Sequence, residues 1–314
     1  MNRKVKVSAP GKIILSGEHA VVYGHPAILT SLDRRLKVEI TPTKKDLEIV
    51  SRHGDKLVEY GLKKAAQALR EKTDVKLKIE IDSEIPVGSG MGSSAALAVA
   101  LTAAFIRFKK LPWDLEKINS IAYEIEKKQH GNPSGGDNTI STYGGFLWFR
   151  KESEKQKIFS PIKIEKKLPR IFLIDTGTPK ESTKEMVSLV RGLYNQHKRK
   201  VEKIFFEMEK VTKAFLRYVL KEEKTSFQDL LRENELLLEK LGVVSSSTRQ
   251  IIRGIEKLGG AAKISGAGGK KGGSGIILAY HKNPDRLLSF AARRNLNIFS
   301  LKLGEEGVRI EKDN

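Results

Sequence analysis

The chain contains no cysteine, which excludes disulfide bonds, thiolate metal sites and cysteine nucleophiles. It also lacks an apolar run long enough to span a bilayer, since the longest, residues 95–106, ends at Arg107. The N-terminus leads into a strand-like run rather than a signal peptide. We therefore expect a cytoplasmic protein with no membrane partner. Its 314 residues, 39% of them hydrophobic, are enough for two domains with their own cores.

The formal net charge of +20 raises the alternative of a nucleic-acid-binding protein. This charge is spread along the chain, and the basic stretches lack interleaved aromatic residues. The basic run at 197–200 lies within a helical pattern and is typical of a solvated face. We therefore predict no nucleic-acid partner and expect the positive field to attract anionic small molecules.

A glycine- and serine-rich segment at 86–96, Pro-Val-Gly-Ser-Gly-Met-Gly-Ser-Ser-Ala-Ala, is the strongest local signal. Alternating apolar residues at 75–82 predict a strand before it, and the alanine-rich run from Ser94 to about Lys109 predicts a helix after it. Unpaired N–H groups at a helix N-terminus bind anionic oxygens, and glycines let the backbone approach them. The segment is thus either a phosphate-binding loop or a strand-to-helix turn capped by Ser93.

Two further segments carry isolated ionisable residues. Lys12, Glu18 and His19 lie in an otherwise apolar or turn-forming stretch, where each alone has an ordinary structural explanation. Asp137 is a solitary carboxylate among turn residues at 130–145. Glu126 falls at the edge of the apolar stripe of a helix predicted over 114–128, so its buried carboxylate needs a lysine, an arginine or a metal ion beside phosphates.

Taken together, these segments resemble the mevalonate kinases of the GHMP kinase superfamily. The resemblance rests on four stretches, with weaker similarity at 175–184 and 234–243, and it covers nearly the whole chain. The four stretches are residues 9–24, 86–96, 130–138 and 263–269.

The resemblance implies ATP and mevalonate as ligands, Mg²⁺ as the metal and a role for each matching position. Asp137 would accept the proton of the mevalonate 5-hydroxyl with Lys12 beside it, and Ser94 and Glu126 would hold Mg²⁺. The implied ATP-binding residues are Pro86, Val87, Gly88, Ser89, Gly90, Met91, Gly92, Ser93, Ser94, Ala95 and Ala96. The implied substrate-binding residues are Glu18, His19, Asp137, Thr183, Gly266 and Ala267.

The resemblance further implies an α+β fold of two domains. A ribosomal-S5-like N-terminal domain would span 1–167, a ferredoxin-like C-terminal domain would span 168–314, and the active site would lie between them. In the second half the sequence predicts helices over about 183–223, 225–241 and 246–258, and strands at 171–175 and 276–280. A homodimer is compatible with the sequence, which does not decide the oligomeric state.

One segment departs from the family pattern. After Gly269 the chain continues with Lys270, Lys271 and then Gly-Gly-Ser-Gly, where mevalonate kinases usually have more glycines and a cysteine. The two lysines either meet phosphate oxygens or form a solvated hairpin tip. The alternatives for function are another GHMP kinase acting on phosphomevalonate or a sugar, and a non-catalytic basic RNA-binding protein that kept the fold.

Overall fold

A computed structural model of the chain describes all but a few residues. The described ranges are 4–51, 55–72, 76–86, 88–131, 133–222 and 224–312. Val87 of the predicted ATP-binding set lies outside these ranges, as does the beginning of the strand predicted at 75–82.

The described residues form two sheets and a set of helices. The strands are β1 (Val5–Ser16), β2 (Ala27–Pro42), β3 (Glu48–Val50), β4 (Leu77–Ser83), β5 (Phe146–Lys151), β6 (Lys157–Pro161), β7 (Phe172–Asp175), β8 (Ala261–Ile264), β9 (Ile276–Tyr280), β10 (Ile298–Ser300) and β11 (Arg309–Ile310). The α-helices are α1 (Asp55–Leu69), α2 (Ser93–Phe108), α3 (Leu115–His130), α4 (Gly136–Tyr143), α5 (Thr183–Gln196), α6 (Lys198–Val219), α7 (Phe227–Lys240), α8 (Ser246–Lys257) and α9 (Pro284–Arg293). A 3₁₀ turn covers Ala20–Tyr23.

The larger sheet is built around the long strands β1 and β2. Its order is β11-β1-β2-β4-β3, and β5 and β6 extend it from β2. β2 pairs with both β4 and β5, through its residues 36–42 and 27–30, respectively. All these pairs are antiparallel except the one between β3 and β4.

Helix α2 forms the centre of this half. It follows the glycine loop as predicted, and it is apolar on nearly every face, as a fully enclosed helix should be. Its neighbours are α1, α3 and α4 together with β1 and β2. Its N-terminus, where unpaired N–H groups lie, is thereby held rigidly against the sheet.

The second half contains an antiparallel sheet of order β10-β7-β9-β8 covered by helices. The strands predicted at 171–175 and 276–280 are confirmed, as are the helices predicted at 225–241 and 246–258. The single helix predicted over 183–223 is wrong, because the chain leaves the helical conformation at His197, with φ −134° and ψ 47°. This break lets α5 and α6 pack on each other, which one continuous helix cannot do. The basic residues at 198–200 are exposed, as predicted.

The last strand, β11, returns to the first sheet. Val7 and Ser8 of β1 pair with Ile310 and Arg309, so part of the predicted 168–314 domain completes the sheet of the other half. The buried guanidinium of Arg35 donates to the carbonyl oxygens of Glu306 and Gly307 at 2.8 and 2.6 Å and fixes this return.

Within the ranges given above, none of the helices has both the length and the apolar character needed to cross a bilayer. The expected cytoplasmic location stays a prediction.

Candidate active site

The two halves of the chain line a common cleft of about 670 Å³. Its walls include residues from all four sequence segments that carry the resemblance. The cleft therefore gathers positions that lie up to about 260 residues apart in the sequence, from Lys12 to Gly275.

The glycine loop lies at the start of α2. Gly88, Gly90 and Gly92 have φ values of 75°, 82° and 75°, a region that side-chain-bearing residues rarely adopt. At Gly92 a Cβ atom would also lie 2.8 Å from Cγ of Lys12. The loop is fastened to the second half, because the amide of Ile276 donates to the Ser89 carbonyl at 3.2 Å.

The predicted ATP-binding residues divide into two groups. Six of them line the cleft: Gly88, Ser89, Gly90, Gly92, Ser93 and Ser94. The side chains of Met91, Ala95 and Ala96 are buried in the core instead, and Pro86 is not part of the cleft lining. Any contact of Met91, Ala95 or Ala96 with a nucleotide must therefore use the backbone.

Lys12 and Asp137 form an ion pair at this end of the cleft. Lys12 Nζ lies 3.0 Å from Asp137 Oδ2, and the side chains are 4% and 36% exposed, respectively. The backbone of Lys12 in β1 is fixed because its amide donates to the Met91 carbonyl at 2.9 Å. Asp137 lies in the first turn of α4, where the helix dipole favours a negative charge. A rigid ammonium thus faces a carboxylate that the cleft can reach.

Glu126 is buried beside this pair, as the helical pattern predicted. Its neighbours are the Ser94 hydroxyl, which hydrogen-bonds to it, and His130 Nε2, which lies 3.6 Å from Oε2. Burial first, and then the negative charge of Asp137, raise the pKa of Glu126 to about 8. Burial lowers the pKa of His130, so the imidazole does not supply a permanent positive charge. Ser94 and His130 are themselves hydrogen-bonded at 3.0 Å.

These donors fit a magnesium ion shared with phosphate groups. A carboxylate and a hydroxyl are oxygen ligands of the kind Mg²⁺ prefers, and Mg²⁺ usually takes only one or two carboxylates in addition to phosphates and water. Burial and Asp137 raise the pKa of Glu126 more than the Ser94 hydrogen bond and the charge of Lys12 lower it. A divalent ion beside it would favour the ionised form.

The other end of the cleft is formed by the turn after β1 and the loop after β8. His19 has φ 60° and ψ −48°, and its Nε2 lies 3.0 Å from the Ala267 carbonyl oxygen. Burial lowers the pKa of His19 to about 4, so the ring is neutral near pH 7. Because a carbonyl only accepts, Nε2 carries the proton and Nδ1 is left as an acceptor. His19, Ala267 and the neighbouring Gly266 all line the cleft.

Glu18 lines the cleft with His19, but its carboxylate is also bonded to protein groups. Its side chain is 1% exposed and forms an ion pair with the fully buried Lys263. Its other oxygen accepts from Asn234 Nδ2 at 3.2 Å. The carboxylate is therefore occupied by protein groups.

Two elements of the second half complete the rim of the cleft. Thr183, the first residue of α5, is exposed and lines the cleft. Lys270 and Lys271 are exposed and lie outside the cleft lining, which favours the solvated tip over a phosphate contact. Their backbone amides donate to Glu181 Oε2 at 3.1 and 3.2 Å.

Sequence reasoning did not assign roles to His130 and Lys263, although both lie in the quoted motifs. For His130 a signal exists, because it follows Glu126 by four residues on one helix and therefore shares its face. For Lys263 the only signal is a charge within an apolar strand, which does not indicate a partner in the other half.

Comparisons with known proteins agree with this geometry. The family model described as "GHMP kinases N terminal domain" matches residues 61–145, which include the glycine loop and Asp137. The mevalonate kinase of Archaeoglobus fulgidus is 34% identical over 310 residues, an alignment that covers 97% of this chain and 99% of that protein. The chain belongs to the mevalonate kinase family. Membership confirms the resemblance stated from the motifs and implies a kinase that uses ATP.

Solved structures of mevalonate kinases share the fold. The structure of the Methanococcus jannaschii mevalonate kinase has a TM-score of 0.79 and 25% identity, and the match covers 97% of this chain and 99% of that one. The L. major mevalonate kinase in complex with R-mevalonate has a TM-score of 0.82 at 23% identity, covering 97% of both chains. The predicted α+β GHMP kinase fold is confirmed.

Proposed function

We propose that this chain transfers the γ-phosphoryl group of ATP to the 5-hydroxyl of (R)-mevalonate and so supplies 5-phosphomevalonate to isoprenoid biosynthesis. Full-length similarity to curated mevalonate kinases supports the substrate. The observation that carries the proposal in the structure is the Lys12–Asp137 pair, 3.0 Å apart beside the glycine loop. It puts a carboxylate and an ammonium where an acceptor alcohol and a phosphate chain can meet.

In this proposal the loop at 88–94 holds the phosphate chain of ATP. The loop leads into the N-terminus of α2 at Ser93, and the N–H groups and dipole of a helix N-terminus bind phosphate oxygens. The left-handed glycines keep side chains out of the way of these oxygens. Positioning and charge stabilisation are the main demands of phosphoryl transfer, and a rigid loop meets both.

Asp137 and Lys12 act on the acceptor side. Asp137 orients the 5-hydroxyl and accepts its proton as the oxygen attacks, and its partial exposure leaves room for the alcohol. Lys12 stabilises the charge that develops on the attacking oxygen and the transferred phosphoryl group. Since the transition state of phosphoryl transfer is loose, orientation by Asp137 and the charge of Lys12 contribute more than early proton removal.

Ser94 and Glu126 are the residues that would hold Mg²⁺ against the phosphates. When bound, the ion neutralises phosphate charge and so lowers the barrier to attack by an alcohol. In the protein, the Ser94 hydroxyl and the Glu126 carboxylate are held together by their contacts with His130.

The opposite end of the cleft receives the rest of the alcohol. His19 Nδ1 is available to accept a hydrogen bond from a hydroxyl, and Thr183 offers a hydroxyl from the facing rim. Gly266 and Ala267 form the wall between them. Selection of the primary 5-hydroxyl over the tertiary 3-hydroxyl follows from the pose that these contacts impose.

The test is a coupled ADP-release assay with ATP and Mg²⁺ over mevalonate, phosphomevalonate, galactose and homoserine. We expect turnover with mevalonate above the other three, and phosphorus NMR of the product should show a phosphate on the primary carbon. A preparation of Asp137→Asn made in parallel controls for contaminating kinases. Failure of all four alcohols would contradict the kinase proposal, whereas preference for another alcohol would contradict only the substrate.

A further inference from the structure

A buried ammonium links the two halves of the chain beneath the acceptor end of the cleft. Lys263, on β8, has a fully buried side chain. Its Nζ forms an ion pair with Glu18 and donates to the Ile14 carbonyl oxygen at 3.2 Å. Both partners belong to the first half, 245 or more positions away in the sequence. Since an unpaired buried ammonium is strongly unfavourable, this ion pair holds β8 and the stretch from Ile14 to Glu18 in one relative arrangement.

Both carboxylate oxygens of Glu18 already have a protein partner in this arrangement. One oxygen contacts Lys263 and the other accepts from Asn234 Nδ2 at 3.2 Å. Asn234 is fixed in turn, because its Oδ1 accepts from the Ser16 hydroxyl at 2.8 Å. All four side chains are buried, and of the four only Glu18 belongs to the lining of the cleft in the part of the chain that the structure describes.

The network fixes the residues that do face the cleft. His19 follows Glu18 directly and has a positive φ of 60°, a conformation that a side-chain-bearing residue keeps only when its surroundings hold it. Every second residue from 263 to 267, in the second half of the chain, provides such a contact. Lys263 binds Glu18, Ser265 Oγ accepts from the Ile14 amide at 2.9 Å, and the Ala267 carbonyl accepts from His19.

A second carboxylate, Glu235, interacts electrostatically with Lys263 and Glu18, but its hydrogen bond lies within the second half. Glu235 is buried, and its Oε2 accepts from the Ile264 amide at 2.9 Å within the same half. Its Oε1 has no hydrogen-bond partner among the described residues. Burial raises the pKa of Glu235 to about 8. Glu235 therefore offers a matched control, since it has the same chemistry and depth, but its hydrogen bond stays within one half.

We propose that Lys263 is a positioning residue that sets the acceptor end of the cleft by holding Glu18, and through it the His19 turn, against the loop at 265–267. Glu18 then acts through Lys263 and not by contact with the alcohol. The inference rests on the proposed function, since it takes the alcohol to bind beside His19.

The main variant combines Lys263→Met with Glu18→Gln, which removes both charges and leaves no lone buried ion. Replacing a buried ion pair by uncharged groups of similar volume generally preserves folding. We expect the KM for mevalonate to rise by about tenfold or more, as is typical when a supporting residue is lost. The KM for ATP and the kcat should stay within about threefold of the wild type, because the glycine loop and Asp137 keep their own supports.

Glu235→Gln should leave all three parameters unchanged. Lys263→Gln combined with Glu18→Gln serves if the first double variant does not fold, since it also leaves no lone buried ion and keeps hydrogen-bonding groups at both positions. It should raise the KM for mevalonate less, again without changing the KM for ATP.

Three results would overturn the inference: an unchanged KM for mevalonate in either folded variant, equal increases in both KM values, or the same increase in Glu235→Gln. Wild-type turnover on mevalonate is measured first and decides the proposed function separately. If the wild type prefers another alcohol, the variants are compared on that alcohol.

Discussion

Two carboxylates are buried along the same cleft, and their surroundings differ sharply. Glu18 is 1% exposed and has an ammonium, Lys263, and an amide as partners. Glu126 is 3% exposed, and its neighbours are the Ser94 hydroxyl and an imidazole. The pKa of Glu126 is raised to about 8, chiefly by burial. The protein supplies Glu18 with a cationic partner. Glu126, in contrast, favours its protonated form, and a bound cation would favour ionisation.

This difference separates a structural charge from a ligand-binding one within a single site. A buried charge with complete protein partners holds segments together and gains nothing from a ligand. A buried carboxyl group without them favours its protonated form, and a cation bound beside it would favour ionisation. The residue type alone does not tell the two apart, since both are glutamates in characteristic motifs.

Asp137→Asn should have the largest effect on turnover. It keeps the shape of the side chain but removes the proton acceptor, so kcat should fall by about 10²- to 10⁴-fold. ATP binding should change little, because the loop at 88–94 has its own supports, whereas the unfolding temperature should fall because the buried Lys12 ammonium loses its ion-pair partner. Near-wild-type turnover would rule out the assignment of Asp137.

Glu126→Gln tests the comparison directly. Losing the carboxylate should raise the Mg²⁺ concentration needed for half-maximal activity by about 10- to 100-fold. Glu18→Gln is the matched control, because the same exchange at the carboxylate with protein partners should leave the Mg²⁺ dependence unchanged. Titrating Mg²⁺ at fixed ATP measures both. Equal shifts in the two variants would remove the distinction between the two glutamates.

Gly92→Ala tests how rigidly Lys12 must be placed. The new Cβ would lie 2.8 Å from Lys12 Cγ, so the lysine side chain must shift and its contact with Asp137 is disturbed. We expect kcat to fall by about tenfold, a typical result of displacing a reacting group by a fraction of an ångström. Gly242→Ala is the control, because Gly242 has a similar φ of 72° but no atom within 4 Å of the added Cβ. A similar loss of kcat in both variants would attribute the effect to backbone strain alone.

His19 should change stability with pH at the other end of the cleft. Its pKa is about 4 in the folded protein and 6.5 for the unperturbed group, so the unfolded chain binds more protons between these values. Stability should therefore fall as the pH drops from 6.5 to 4, by up to about 3 kcal/mol from this group. Urea unfolding of the wild type and His19→Gln between pH 4 and 7 isolates the difference. Parallel profiles would show that His19 is not buried in its neutral form.

Local patterns predicted much of the fold. The apolar run after the glycine loop correctly predicted α2, and the helical wheel correctly predicted that Glu126 is buried. The break at His197 was not predictable, because neither proline nor glycine marks that position and the helix ends there for tertiary packing.

The arrangement of the site needed more than local patterns. The Lys12–Asp137 contact joins positions 125 residues apart, and no spacing rule brings them together. The family resemblance implied this pair, whereas the partner of Glu18 was missed. An ion pair between β8 and the turn after β1 depends on how the two halves pack, which periodicity does not encode.

The return of β11 to the first sheet affects how the chain can fold. Arg35 obtains two of its backbone acceptors from Glu306 and Gly307, about 270 positions later. During synthesis the edge of β1 stays open, and Arg35 lacks two of its hydrogen-bond acceptors, until residues 306–310 have been made. Such distant closure slows folding and leaves the nascent edge available to other chains. Completion of the N-terminal sheet therefore depends on residues translated about 270 positions after Arg35.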